Sequence, residues 1–103
     1  MTLTDFKTLL LTCDPAVSKF TGPGTGNYTV WVPGTRTDGL MSDDQSEEDD
    51  TRVYVDRFTK VDNDTVAALL KTKLDESFIP YEYEQMFETD TGYIHHSFTC
   101  IVG

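Results

Sequence analysis

The second half of the chain, residues 52–102, carries nearly all of its regular hydrophobic and polar patterning. Residues 52–60 read RVYVDRFTK, and this alternation of apolar and polar positions predicts a half-buried strand. Residues 63–76 then repeat apolar side chains at helical spacing, with Asn63 or Asp64 as the candidate N-cap. The apolar face of this predicted helix comprises Val66, Leu69, Leu70 and Leu74. One side of the helix is therefore suited to packing.

Two more strands are predicted after Pro80, which interrupts the helical pattern. They cover residues 81–87, YEYEQMF, and residues 93–102, YIHHSFTCIV. Between them, residues 88–92 contain Asp, Thr and Gly, which are typical of a hairpin loop of about five residues. The second half thus predicts a small sheet with a helix across one face.

The first half predicts a short helix over residues 4–12, with Thr2 or Thr4 as its cap. Asp5 lies in the first turn, where a negative charge favours the helix dipole. The apolar stripe of this helix comprises Phe6, Leu9, Leu10 and Cys13. The Asp-Pro pair at 14–15 ends or bends the helix, because the residue before a proline disfavours helical geometry.

A turn, a loop and a first strand are predicted next. Residues 16–20 suit a second helical turn, residues 21–27 (TGPGTGN) a loop, and residues 28–32 (YTVWV) a strand ended by a Pro-Gly pair. The glycines match no phosphate-binding spacing, and no cofactor is expected. Val30 and Val32 flank Trp31 in the strand. Because successive side chains of a strand point to opposite faces, Trp31 is expected on the face opposite to these two valines. Trp31 is either covered by a loop or serves as an interface anchor.

The segment at about 34–51 has no periodicity and predicts a long, mobile, solvated loop between the first two strands. It ends in a run of six acids: Asp43, Asp44, Glu47, Glu48, Asp49 and Asp50. A calcium loop would need alternating acids and a central glycine, and this run has neither, so no metal is expected. Two interpretations stay open: a plain solvated charge run, or an electrostatic role in an assembly where the charges repeat around a shared opening.

Length and charge restrict the possible functions. With 103 residues, the chain is expected to form one domain that buries about 60 to 65 per cent of its unfolded surface. Its formal charge of -10 argues against direct binding to DNA, RNA or acidic membranes, because such binding depends on Lys and Arg. No apolar run approaches the roughly 20 residues that span a bilayer, and the start of the chain does not match a lipoprotein signal. A soluble protein is expected.

The candidate reactive groups are two cysteines and two histidines. Cys13 and Cys100 lie far apart and in no metal-binding or redox motif, so two buried thiols in a reducing cytosol are favoured over a disulfide. His95 and His96 are neighbours on a predicted strand and therefore point to opposite faces. His96 is expected on the core side, and His95 toward solvent or a partner. They cannot chelate one ion together, no nucleophile is placed beside them, and catalysis is not expected.

The order of these elements resembles a family of bacteriophage proteins. The similarity is carried by the strand VYVDRFTK at 53–60, followed directly by a helix, and by the final strand GYIHHSFTCI at 92–101. In these features the chain is similar to the tail terminator and tail completion proteins of siphophages, also called tail-to-head joining proteins. The similarity covers about half of the chain well and the remainder by element order.

The resemblance implies an α+β fold: a small, mostly antiparallel β-sheet with two helices packed on it. It also implies a hexameric ring in the virion that caps the tail tube, stops tube polymerisation and docks to the head connector while DNA passes through. A negative lumen would let DNA slide without sticking. The implied partners are the tail tube protein, the head connector or adaptor protein and further copies of the chain, and the implied location is the tail neck, with assembly in the host cytoplasm. A monomer in solution would be compatible with assembly on the tube end.

Other interpretations of the sequence lead to different functions. One is another neck or head-completion component with a similar small fold. Another is a small acidic binding module or nucleic-acid mimic that presents its acidic run to a basic partner.

Overall fold

The computed structural model describes residues 2–36 and 51–103, without the side chains of residues 35 and 36. Its elements, in chain order, are α1 (Leu3–Cys13), β1 (Ser18–Lys19), β2 (Tyr28–Arg36), β3 (Thr51–Thr59), α2 (Thr65–Glu76), β4 (Tyr81–Phe87) and β5 (Ile94–Val102). The strands form one sheet in the order β1-β2-β3-β5-β4. The β1–β2 pair is parallel and the other pairs are antiparallel. The predicted α+β fold with a mostly antiparallel sheet is confirmed.

Both helices begin at side chains that satisfy free backbone N–H groups. In α1, the Thr2 hydroxyl accepts from the Asp5 N–H at 3.1 Å, and the Asp5 carboxylate accepts from the Thr2 N–H at 3.3 Å. In α2, the Asp64 carboxylate accepts from the Ala67 N–H at 2.9 Å. Such caps stabilise a helix by about 1 kcal/mol each. Of the two candidate caps for each helix, Thr2 caps α1 and Asp64 caps α2.

The two helices pack on the same face of the sheet. Trp31, Val55 and Phe98 lie side by side on β2, β3 and β5, and all three belong to the core. The helices add the apolar side chains Phe6, Leu10, Leu70 and Leu74 to that cluster. The helix-covered face is therefore the interior of the fold, and the opposite face of the sheet carries no helix in the described residues.

Two predictions about the first half are wrong in detail. Residues 16–20 form no helical turn, since Ser18 and Lys19 are strand β1 and pair with Val30 and Trp31. Strand β2 does not stop at residue 32 but continues to Arg36, with an irregularity after Pro33. Because β1 covers only two residues of β2, Pro33 lies where no neighbouring strand requires its missing N–H.

The backbone at Gly34 leaves no room for a side chain. A Cβ there would lie 2.7 Å from the Tyr54 ring and 2.8 Å from the Arg52 carbonyl oxygen, both closer than van der Waals contact. The glycine therefore lets β2 continue against β3 instead of ending the strand. The predicted loop at about 34–51 is therefore wrong at its ends, because residues 34–36 belong to β2 and Thr51 begins β3. Its residues 37–50 are outside the described part of the chain.

Candidate functional site

The sequence-predicted site residues fall into two groups. The acids Asp43, Asp44, Glu47, Glu48, Asp49 and Asp50 lie outside the described residues. Trp31, the candidate interface anchor, lies in the core and is 3% exposed. Its ring meets the Phe6 ring of α1 edge-on, with centroids 6.2 Å apart.

The interface-anchor interpretation of Trp31 is therefore corrected. Alternation along β2 does place Trp31 opposite its neighbours, as expected, but the face it points to is the one that α1 covers. The strand pattern carries no information about which face a distant helix will occupy. A side chain buried in this way contributes to folding and offers no surface to a partner.

The two histidines point to opposite faces of β5, as predicted. His96 is on the helix-covered face and 7% exposed. His95 is on the open face, where its Nε2 lies 2.8 Å from Asp56 Oδ1 and its Nδ1 lies 3.5 Å from Glu88 Oε2. Its ring also stacks on Phe58, with centroids 4.3 Å apart. His95 is therefore held between side chains of its own chain and not simply directed to solvent.

An arginine on β3 connects the sheet to both helices. Arg57 is 6% exposed, and its guanidinium donates from Nε to Asp64 Oδ2 at 2.9 Å and from Nη2 to Asp64 Oδ1 at 3.2 Å. Its Nη1 donates to Asp14 Oδ2 at 3.4 Å and to the Thr29 hydroxyl at 3.3 Å. Asp64 caps α2 and Asp14 follows α1. One side chain thus joins β2, β3 and the ends of two helices.

The Asp64 carboxylate acts as both ion-pair partner and helix cap. Burial opposes its ionisation, but hydrogen bonds from Arg57 and from the Ala67 N–H outweigh that effect and hold its pKa below the usual 3.8. A buried pair with both carboxylate oxygens engaged gives orientation as well as charge compensation. We interpret this cluster as structural, because every charged group in it is satisfied by another.

A cavity of about 610 Å³ opens between α2 and the β4–β5 hairpin. His96, Tyr83 and Lys71 are among its lining residues. The Tyr83 hydroxyl lies 2.7 Å from His96 Nδ1 and 3.1 Å from Gln85 Oε1. Tyr83 donates to Gln85 Oε1, and which atom donates in its contact with His96 Nδ1 depends on the tautomer of the imidazole. His96 Nε2 has no hydrogen-bond partner among the described groups.

Burial in this cavity favours the neutral form of His96. Burial lowers the pKa of His96 below its usual 6.5; the negative charge of Asp64 opposes this shift, and the positive charges of Lys71 and Arg57 add to it. Lys71 Nζ itself lies 3.8 Å from the centroid of the Tyr83 ring, a cation–π contact. The hydroxyl nearest to His96 belongs to Tyr83 and is engaged at Nδ1, so this arrangement resembles a hydrogen-bonded scaffold more than an acid–base pair.

The open face of the sheet carries an aromatic cluster that sequence reasoning missed. Tyr28 stacks on Phe58 with centroids 5.0 Å apart, and Tyr93 contacts both rings edge-on. The Tyr93 hydroxyl donates to the Gly26 carbonyl at 2.8 Å, which ties the glycine-rich loop to this end of the sheet. A Cβ at Gly22 would lie 2.4 Å from the Tyr28 ring. The predicted loop at 21–27 is thus packed on these aromatic rings.

Both cysteines are buried and free, as predicted. Burial raises the pKa of the Cys100 thiol to about 12, and burial is also the main cause of the raised pKa of Cys13. The thiolate is the reactive form of cysteine, so neither thiol is prepared for nucleophilic chemistry. Within residues 2–36 and 51–103, no group of three or more His, Cys, Asp or Glu side chains is placed to hold a metal ion.

Comparison with known proteins gives no family for this chain: no family model, curated protein or solved structure matches it. Among the described residues, no helix is long and apolar enough to cross a membrane. The strand alternation of RVYVDRFTK places Arg57 on the same face as the core residues Val53 and Val55. A charged side chain on the core face was the sequence signal from which the buried network of Arg57 could have been predicted.

Proposed function

We propose that this chain is a non-enzymatic virion assembly protein that forms a ring at the end of a siphophage tail tube. The ring stops tube polymerisation and joins the tail to the head connector. The observation that carries the proposal is the agreement between the observed fold and the fold that the resemblance implies: a mostly antiparallel sheet with two helices on one face, in the same element order.

The use of the polar residues supports a structural role. Arg57, Asp64 and Asp14 satisfy each other in the interior, and His95 is held by Asp56 and Glu88 on the surface. These contacts connect elements that are distant in sequence. They stabilise the fold of the subunit, and a ring subunit that binds two partners requires a stable fold.

The unlike faces of the sheet support a polar, head-to-tail arrangement of subunits. Both helices cover one face, and the opposite face carries no helix in the described residues. A ring closes when one surface of each subunit binds a different surface of the next, and a subunit with unlike faces suits that kind of interface. Closure then presents two different faces, one to the tube and one to the head.

The charge of the chain supports passage of DNA without binding. With a formal charge of -10, a ring of this protein would carry a strongly negative field, which repels phosphates from the lumen. We assign the largest share of this field to the six acids at 43–50, which lie outside the described residues.

Electron microscopy of phage assembled without this protein tests the proposal. We expect tails of uncontrolled length that fail to join heads, and restoration of both properties by the wild-type chain. Tails of normal length that still join heads would overturn the proposal. If length is normal but joining fails, binding assays against isolated tube and connector proteins will distinguish a terminator from another neck component.

A charge-neutralised variant distinguishes the ring from an acidic mimic. Replacing the six acids at 43–50 by Asn or Gln should leave folding and tail joining intact but slow genome passage. A nucleic-acid mimic would lose its binding entirely. The matched control is the double variant Asp62→Asn, Asp90→Asn, which removes exposed acids elsewhere and should behave as wild type.

A further inference from the structure

Strand β4 is a sheet edge whose outward backbone groups have no partner among the described residues. At its two ends, the Ile101 N–H donates to the Pro80 carbonyl at 3.0 Å and the Glu88 N–H donates to the Tyr93 carbonyl at 2.8 Å. In antiparallel strands, residue pairs that are joined by backbone hydrogen bonds alternate with pairs that are not, and the register of β4 with β5 has no shift. The even-numbered residues of β4 therefore bond to β5.

The odd-numbered residues of β4 direct their N–H and C=O groups away from the sheet. These residues are Tyr81, Tyr83, Gln85 and Phe87. The edge they form contains no proline and no bulge. The opposite edge is protected, because β1 covers part of β2 and both Pro33 and an irregularity interrupt the remainder. Only β4 offers a long, regular edge in the described part of the chain.

We propose that β4 is a docking edge for an extended segment of a partner protein that carries Lys or Arg at alternate positions. Glu82 and Glu84 alternate along β4 on the open face, opposite Thr99 and Ser97 of β5. Both glutamates are exposed, and neither has an ion-pair partner among the described residues. A strand added to β4 would place its own same-face side chains directly beside them, where opposite charges stabilise the pair.

Exposed apolar side chains mark the same edge. Met86 is 42% exposed and Phe87 is 64% exposed, and both lie at the end of β4. Phe78, two residues before Pro80, is 91% exposed. Large apolar side chains exposed at both ends of an unpaired edge are typical of a surface that a partner covers. The partner strand is therefore basic on the open-face side and apolar at its end.

A second copy of this chain does not meet that description. Antiparallel pairing of β4 with β4, centred on Tyr83, would set Glu82 of each copy opposite Glu84 of the other, and like charges in that position repel. The other edge contributes Lys19, but its register with Trp31 places it on the helix-covered face. The edge is a property of the fold alone, so this inference stands or falls separately from the role in tail joining.

Nuclear magnetic resonance of the isotope-labelled full-length protein tests the proposal with a short synthetic peptide. The peptide has lysine at every second position, with threonine and valine between. We expect shift changes centred on β4 and at least about tenfold greater protection of the Tyr83 and Gln85 amides from exchange. The control peptide has the same charge but carries N-methyl groups on alternate amides, so it attracts acids without pairing, and it should leave this protection unchanged.

Two variants complete the test. Gln85→Pro removes an outward N–H without removing a bond to β5 and should abolish peptide binding, whereas Gln85→Ala should retain it. The double variant E82K/E84K should bind the lysine peptide about tenfold more weakly and prefer a glutamate peptide. No binding, equal binding of the methylated peptide, or self-association through β4 would each overturn the proposal.

Discussion

Arg57 and Asp64 form a buried ion pair joined by two hydrogen bonds, Nε to Oδ2 at 2.9 Å and Nη2 to Oδ1 at 3.2 Å. The pair attaches the first turn of α2 to the middle of the sheet, and Asp14 brings the end of α1 to the same guanidinium. Because both partners are buried, removal of either one leaves an uncompensated charge in the interior.

We expect Arg57→Ala to lower the free energy of unfolding by about 3–5 kcal/mol, the usual cost of breaking a buried pair. Urea denaturation followed by circular dichroism measures this change. The matched control is Arg52→Ala on the same strand, where the side chain is exposed and a change within about 0.5 kcal/mol is expected. Equal effects of the two substitutions would contradict the structural role assigned to Arg57.

The lowered pKa of Asp64 predicts acid sensitivity. Its stabilising contribution is complete above 3.8, the usual pKa, and is lost as the pH falls through the lower pKa of the folded state. Denaturation measured across this acid range should show a loss of stability that Asp64→Asn lacks. An unchanged pH dependence in the variant would exclude Asp64 as the source.

His96 predicts a separate loss of stability in mildly acidic solution. Its folded pKa is lowered by burial, so the unfolded chain binds a proton first as the pH drops below 6.5. Stability should be constant above that value and fall below it, until the lowered pKa is passed. His96→Gln should remove this step. His95 remains in both proteins, so their difference isolates His96.

Trp31 predicts a large packing effect and a spectroscopic signature. Trp31→Ala should destabilise the fold by about 3–5 kcal/mol, because it empties the contact with Phe6 and the sheet core. Phe78→Ala, at a side chain 91% exposed, serves as control and should change stability by less than about 0.5 kcal/mol. As the only tryptophan, Trp31 should also resist quenching by iodide. Quenching as strong as that of the unfolded chain would refute its burial.

The cysteines predict slow thiol labelling. Cys100 is fully buried and Cys13 is 6% exposed, and both pKa values are raised by burial. At mildly alkaline pH, an aromatic disulfide reagent should label the native protein only at the rate of unfolding, while the urea-unfolded chain reacts at once. Fast labelling of the native protein at either residue would show that the site opens locally.

Local signals explain the predictions that were confirmed in the second half. The strand β3, helix α2 and the β4–β5 hairpin are each specified by periodicity, a cap or a turn within a few residues. The opposite directions of His95 and His96 follow from strand geometry alone. In the first half, the sequence predicts a helical turn where β1 lies, because the two residues of β1 become a strand only by pairing with β2.

The sequence by itself determined the order of elements other than β1, the cap of each helix to within two candidates and the fold class that resemblance implied. Tertiary structure decided which face of the sheet the helices cover, and with it the burial of Trp31, the closure of the Arg57 network and the exposure of the β4 edge. The reason is physical. A strand alternates between two faces with equal regularity, and only the packing of distant segments makes one of them interior.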